Sequence, residues 1–177
     1  SNYFQSGKVQ EAETACLKAI ELNPSLFNSH FLLAQILIKQ KKLQEAEQSL
    51  RKTIELKPDL AQAHLSLGAV LKELDQLQKS EVSIRKSIEL NPNLFNSYLL
   101  LANILSDQNK LQEAELSLRK AIELNPACAK AYYTLSLIYS EKNDYRKAYK
   151  EIQLAIKNDP RNHIYQGELN RIKLIQG

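Results

Sequence analysis

The chain of 177 residues is 44% hydrophobic and 25% charged, and its 24 Lys and Arg exceed its 20 Asp and Glu by a formal net charge of +4. That balance belongs to a folded globular chain, and the cationic excess is too small for a nucleic-acid footprint, so no nucleic-acid partner is expected. The apolar runs are short and broken by charge, none nearing the roughly 20 residues that cross a bilayer, so no membrane partner is expected either.

Taken in order, residues 1–4 read as the tail of a helix and residues 9–22 as the first complete one. Apolar residues at helical spacing then predict two alternating kinds of helix, A and B: 27–40 with 43–56, 61–74 with 77–90, 95–108 with 111–124, and 129–142 with 145–158. A last helix is predicted over 162–175. The loops are short, so consecutive helices must run antiparallel. With only 4 Gly and 5 Pro there is no linker-like stretch, and one array without an internal domain boundary is expected. Cys16 lies on an apolar stripe and Cys128 in a turn, 112 residues apart, which predicts two reduced thiols and a cytoplasmic compartment.

The B helices are copies of one another. LQEAEQSLRKTIELKP at 43–58 returns at 77–92 and 111–126, with a variant before it at 9–24 and a worn copy after it at 145–160. The prolines at 24, 58, 92, 126 and 160 set a step of 34 residues, the mark of a repeat solenoid. In the first full copy Leu43, Ala46, Leu50, Thr53 and Ile54 make one apolar stripe. Glu45 and Glu47 favour the helix start, Arg51 is expected to face Glu55, and Pro58 stops the helix near Lys57. The A helices repeat a triplet whose middle residue is small: Leu33-Ala34-Leu37, Leu67-Gly68-Leu71, Leu101-Ala102-Leu105 and Leu135-Ser136-Tyr139. Small residues at Ala46, Ser80, Ala114 and Ala148 answer them on the B helices, so each pair can close tightly. The repeat at Phe27 matches the one at Phe95 at 23 of 34 positions but its neighbour at Ala61 at only 14, so a two-repeat unit was copied and surface features should alternate.

On these residues the chain resembles the tetratricopeptide repeat family. Repeats starting at Phe27, Ala61, Phe95 and Ala129 fit its pattern, the fourth with Tyr132, Leu135, Ser136, Tyr139, Ala148, Ile152, Ala155 and Pro160. A partial repeat supplies Tyr3, Gly7, Ala12, Cys16, Ala19 and Pro24. His30 and His64 depart from the aromatic at position 4, and Leu replaces Tyr at position 11 in three repeats. The resemblance implies an all-α fold, a right-handed superhelical solenoid of antiparallel helix pairs. Its parts would be a partial repeat at 1–26, full repeats at 27–60, 61–94, 95–128 and 129–162, and a capping helix at 163–177, where Leu169 and Ile172 pack and Asn170 and Lys173 do not.

No catalytic constellation is present: no phosphate-binding glycine loop, no Cys-x-x-Cys, no His-Glu-x-x-His. The chain is therefore expected to be no enzyme and to need no cofactor or metal. His30 and His64 read as fillers of the slot that Tyr98 and Tyr132 occupy, since no third ligand shares their column. The Arg51–Lys52, Arg85–Lys86 and Arg119–Lys120 column reads as a solvated face neutralised by Glu55, Glu89 and Glu123.

The resemblance also implies that positions 2, 5, 9 and 12 of the A helices line a concave face that binds a peptide or protein segment. Those residues are Asn28, Phe31 and Gln35; Gln62, Leu65 and Lys72; Asn96, Leu99 and Asn103; and Lys130 and Tyr133. The position-5 column of Phe31, Leu65, Leu99 and Tyr133, joined by Leu32 and Leu100, is either a docking strip or packing between A helices. Lys130 with Asn103 suits an acidic group. The lysine clamp of chaperone-tail binders and the asparagine ladder of nuclear sugar-transferase arrays are both missing. The expected function is a protein-binding scaffold, or else the substrate-presenting arm of a larger transferase. The first helix, lacking most of its A partner, is expected to drive end-to-end self-association.

Overall fold

The computed structural model describes the backbone of residues 2–176 and the side chains of residues 8–175. Among the described residues there are ten helices and no strand: α1 (Asn2–Leu22), α2 (Phe27–Lys39), α3 (Leu43–Leu56), α4 (Ala61–Glu73), α5 (Leu77–Leu90), α6 (Phe95–Asp107), α7 (Leu111–Leu124), α8 (Ala129–Glu141), α9 (Tyr145–Asn158) and α10 (His163–Gln176). They fall into two compact units, residues 1–91 and 92–177. The first holds α1 to α5 and the second α6 to α10.

Each A helix ends in the same turn. Lys41, Asp75, Asn109 and Asn143 take φ of 62°, 59°, 60° and 58°, the left-handed region that reverses a chain tightly. Around them the amide of Lys42 donates to the Leu37 carbonyl and that of Lys41 to the Ile38 carbonyl, and the other three turns repeat both bonds. These pairs satisfy carbonyls that the helix end would leave open. Each B helix stops differently: Lys57, Asn91, Asn125 and Asp159 swing to φ between −140° and −145° ahead of the proline. Proline supplies no amide and disfavours helix in the residue before it. The position-4 histidines reinforce this stop, since the Nε2–H of His30 donates to the Pro24 carbonyl at 3.0 Å and that of His64 to the Pro58 carbonyl at 2.9 Å. They fill a slot and also tie α2 and α4 to the turns behind them.

The helix pairs close on their smallest residues. Ala34, Ala46, Ala102, Ala114, Ser136 and Ala148 have no exposed surface, nor have the larger Leu50, Ile84, Leu118 and Ile152 that pack one turn from the B-helix small residues. Burying a side chain of that size stabilises by about 1.5–3 kcal/mol. Where a hydroxyl replaces alanine at a seam, a backbone carbonyl takes its proton. Ser80 Oγ donates to Gly68 O at 2.6 Å, Ser87 Oγ to Ala61 O at 2.9 Å, and Thr53 Oγ1 to Ser49 O at 2.8 Å. No buried hydroxyl is therefore left without a partner at these seams.

Three expectations need correction. Residues 2–22 form one continuous helix rather than a helix tail followed by a new helix at residue 9, since no proline or left-handed residue interrupts them. The A helices end one residue earlier than expected, because Gln40, Leu74, Gln108 and Lys142 serve as their caps. Arg51 pairs with Glu47 at 2.8 Å and not with Glu55, which takes Lys52 at 2.8 Å. The same division recurs as Arg85–Glu81 with Lys86–Glu89, and as Arg119–Glu115 with Lys120–Glu123. At the other end Tyr165, Leu169 and Ile172 of α10 are buried while Asn170 and Lys173 are exposed.

Gly68 makes a tight seam. A Cβ placed there would stand 2.3 Å from Ile84 Cδ1 and 2.6 Å from its Cγ1. Ile84 is fully buried and has little room to yield. Gly68→Ala should therefore destabilise the fold by about 1–2 kcal/mol in urea titration, although alanine by itself favours a helix interior by about 1 kcal/mol. Adding Ile84→Leu recreates the alanine–leucine combination of Ala34 with Leu50 and Ala102 with Leu118, and should restore most of that loss.

Candidate functional site

The candidate binding residues fall on the A helices of both units, and burial separates them. In the first unit Asn28, Gln35 and Gln62 are exposed, Phe31 and Lys72 half-buried, and Leu65 buried at 8% exposure. Phe31 packs against a core built from Leu33, Ala34, Leu37, Leu50 and Leu67. In the second unit Asn96 and Lys130 are exposed, Asn103 and Tyr133 half-buried, and Leu99 buried at 9%. Tyr133 lies against Tyr165 of α10, their ring centroids 4.9 Å apart and tilted by 37°. At Leu65 and Leu99 the position-5 column is thus packing between helices. What remains open in the first unit is a set of neutral amides, Asn28, Gln35 and Gln62, beside Leu32, which keeps 49% of its surface exposed. These amides carry no side-chain hydrogen bond, and neither do Asn96, Asn103 or the Lys130 ammonium.

Sequence reasoning did not find a polar lock between successive repeats of the second unit. Glu115 on α7 accepts the Tyr139 hydroxyl proton at 2.6 Å, Lys142 Nζ at 2.9 Å and Arg119 Nη2 at 3.1 Å. Arg119 also donates to the Tyr139 oxygen, and Lys147 Nζ stands 5.3 Å over the Tyr139 ring. Burial pushes the Glu115 carboxyl up, but the hydrogen bonds from Tyr139, Lys142 and Arg119 outweigh it and bring the group down to about 2. Burial, helped by the bond to Glu115, pushes the Tyr139 phenol up to about 12. The sequence held one clue: Tyr139 is the only tyrosine at a position where the other full repeats have Leu37, Leu71 and Leu105. In the first unit Glu13 plays a lesser version of the same part, taking Gln40 Nε2 at 2.6 Å and Lys42 Nζ at 3.2 Å, bonds that lower its carboxyl.

No group of three or more potential metal ligands occurs among the described residues, and no helix there is long and apolar enough to cross a membrane. A recess of about 480 Å³ lies in the first unit, lined from α3, α4 and α5.

The lock has a pH signature. A carboxyl lowered from 4.5 to about 2 contributes stability that is full above pH 4.5 and is lost as pH falls from there toward 2. A phenol raised from 10.0 to about 12 contributes stability that is full below pH 10 and is lost as pH rises toward 12. Tyr139→Phe should cost about 1–2 kcal/mol at neutral pH and shrink both slopes when urea midpoints are measured across these windows.

Comparison with known proteins agrees with this geometry. The profile described as "Tetratricopeptide repeat" matches residues 61–94, 95–128 and 129–162, more than half of the chain. A profile for "Anaphase-promoting complex, cyclosome, subunit 3" matches residues 2–53. No curated protein matches the chain. Among solved structures, MamA superposes with a TM-score of 0.83 at 21% identity, over 90% of this chain and 93% of its own. PilF of Pseudomonas aeruginosa gives 0.86 at 18%, over 98% and 79%. YrrB, described as a TPR protein with an unusual peptide-binding site, gives 0.78 at 22%, over 94% and 86%. Identities this low speak for fold alone. With three consecutive repeats matched and ten helices paired in the way those repeats require, the chain belongs to the tetratricopeptide repeat family and is an all-α helical repeat solenoid.

Proposed function

We propose that this chain is a non-enzymatic scaffold that holds an extended peptide or protein segment along the inner, A-helix face. Membership of the family supports a protein–protein interaction scaffold at the coarser level. The observation that carries the finer reading is the set of open amides. Asn28, Gln35 and Gln62 in the first unit, and Asn96 and Asn103 in the second, keep their hydrogen-bonding groups uncommitted. An amide both donates and accepts, so it can pair with the backbone of an extended segment whatever that segment's side chains. Leu32 adds an apolar contact in the first unit, and the Lys130 ammonium, with Asn103 on the preceding A helix, suits an acidic group in the second. Two free thiols, one buried with its thiol pushed up by burial, suit a reducing, cytoplasmic compartment. End-to-end self-association through α1 would draw on the exposed Leu17 and Leu22. Val9, Ala12, Cys16 and Ile20 pack into the core, and the recess left on α1 is lined by Gln10, Glu11, Thr14, Ala15 and Lys18.

A displayed library of random ten-residue peptides tests the reading. Peptides enriched on the wild-type chain should bind Gln35→Ala/Gln62→Ala about tenfold more weakly, two hydrogen bonds being worth about 1–3 kcal/mol together. The melting temperature should not move, because neither amide has a partner to lose. A library that enriches nothing, or enriched peptides indifferent to both substitutions, would refute the inner-face reading.

A further inference from the structure

We propose that the groove lined from α3, α4 and α5 in the first unit is a second binding site, for an acidic amphipathic peptide whose apolar side chains enter between α3 and α5. This site does not depend on the inner-face reading. Its volume of about 480 Å³ lies within the range of ordinary ligand sites. Its apolar lining is aliphatic: Ile54 from α3, Leu67 from α4, and Val82 from α5, which remains 70% exposed. A side chain that exposed on a helix otherwise covered with charge is unsatisfied apolar surface at the mouth of a recess.

The rim selects the charge of the occupant. Arg51 stands on one wall and Lys86 on the other. Arg51 spends its Nε and Nη2 on one oxygen of Glu47, and Lys86 gives one bond to Glu89. Both cations therefore keep N–H donors in hand. Their present pairs are exposed intrahelical ones, worth about 0.3–0.5 kcal/mol each, so a carboxylate arriving beside apolar surface can draw them away. Glu55 is the one acid in the lining, and it is turned to Lys52. His64 is held by its Nε2–H on Pro58, which leaves Nδ1 as an acceptor for a peptide N–H.

The second unit supplies an internal control. At the equivalent positions of α9, Glu151 stands where the groove has Ser83, and Leu154 where it has Lys86. Glu151 is half-buried without a hydrogen-bond partner, and burial pushes its carboxyl up. That repeat tolerates a carboxylate there and would repel an acidic peptide. Ser83→Glu and Lys86→Leu thus transplant residues the same fold already accepts.

The test uses the whole chain and two fluorescein-labelled helical peptides. Both carry leucines one turn apart; one has Asp and Glu on the remaining surface, the other Lys. Fluorescence anisotropy should show the acidic peptide binding and the basic one not. Ser83→Glu and Lys86→Leu should each weaken binding at least tenfold, with circular dichroism confirming an unchanged melting profile. Gln35→Ala/Gln62→Ala should leave it untouched, which separates this site from the inner face. No binding of the acidic peptide up to about 1 mM, equal binding of both peptides, or binding that survives Ser83→Glu would overturn the proposal. Sedimentation equilibrium revealing a dimer that Ser83→Glu dissociates would assign the groove to a second copy of the chain, and would overturn it as well.

Discussion

The structure depends on how closely two helices can approach. A hairpin of 13- and 14-residue helices has too little apolar surface to stand alone, and it gains enough only if its stripes meet without a gap. Small residues at two fixed positions permit that approach, and their complete burial in every full repeat shows that it is reached. The larger seam residues then fill the space beside them. Gly68 against Ile84 is the limiting case, where one methyl would already be too much.

Once the seams are fixed, the chemistry of the surface follows from what the seams leave over. On α3, α5 and α7 each Arg–Lys pair finds partners on its own helix, Arg one turn back and Lys one turn forward, through exposed pairs that leave N–H donors over. The A-helix amides of Asn28, Gln35, Gln62, Asn96 and Asn103 are not consumed in this way. The lock in the second unit shows how one substitution redirects such a surface. A tyrosine in place of leucine brings a hydroxyl to Glu115, and an ordinary intrahelical pair becomes a network joining α7 to α8.

Much of the architecture was legible because it is local. The 34-residue proline step, the 3.6-residue stripes and the small-residue triplets each report a backbone constraint acting within a few residues. All four B-helix spans of the full repeats match the expected ones for that reason. The site was less legible. Exposure at position 5 depends on what the neighbouring helix brings, so Leu65 and Leu99 are packed while Leu32, one residue along its own helix, is open. The ion pairs were half legible: spacing showed which residues are one turn apart, but Arg51 had a glutamate on each side, and rotamer preference chose Glu47.

The sequence by itself determined that this is a helical repeat, where the B helices of the full repeats start and stop, and which small residues lie at the seams, because propensity, periodicity and proline act along the chain. Tertiary structure alone decided which apolar side chains are core and which are surface, that Glu115, Tyr139 and Lys142 meet, and that a groove opens between α3 and α5. Those outcomes depend on side chains from helices more than 20 residues apart arriving at one place, and no local rule records where a neighbouring helix will put its atoms.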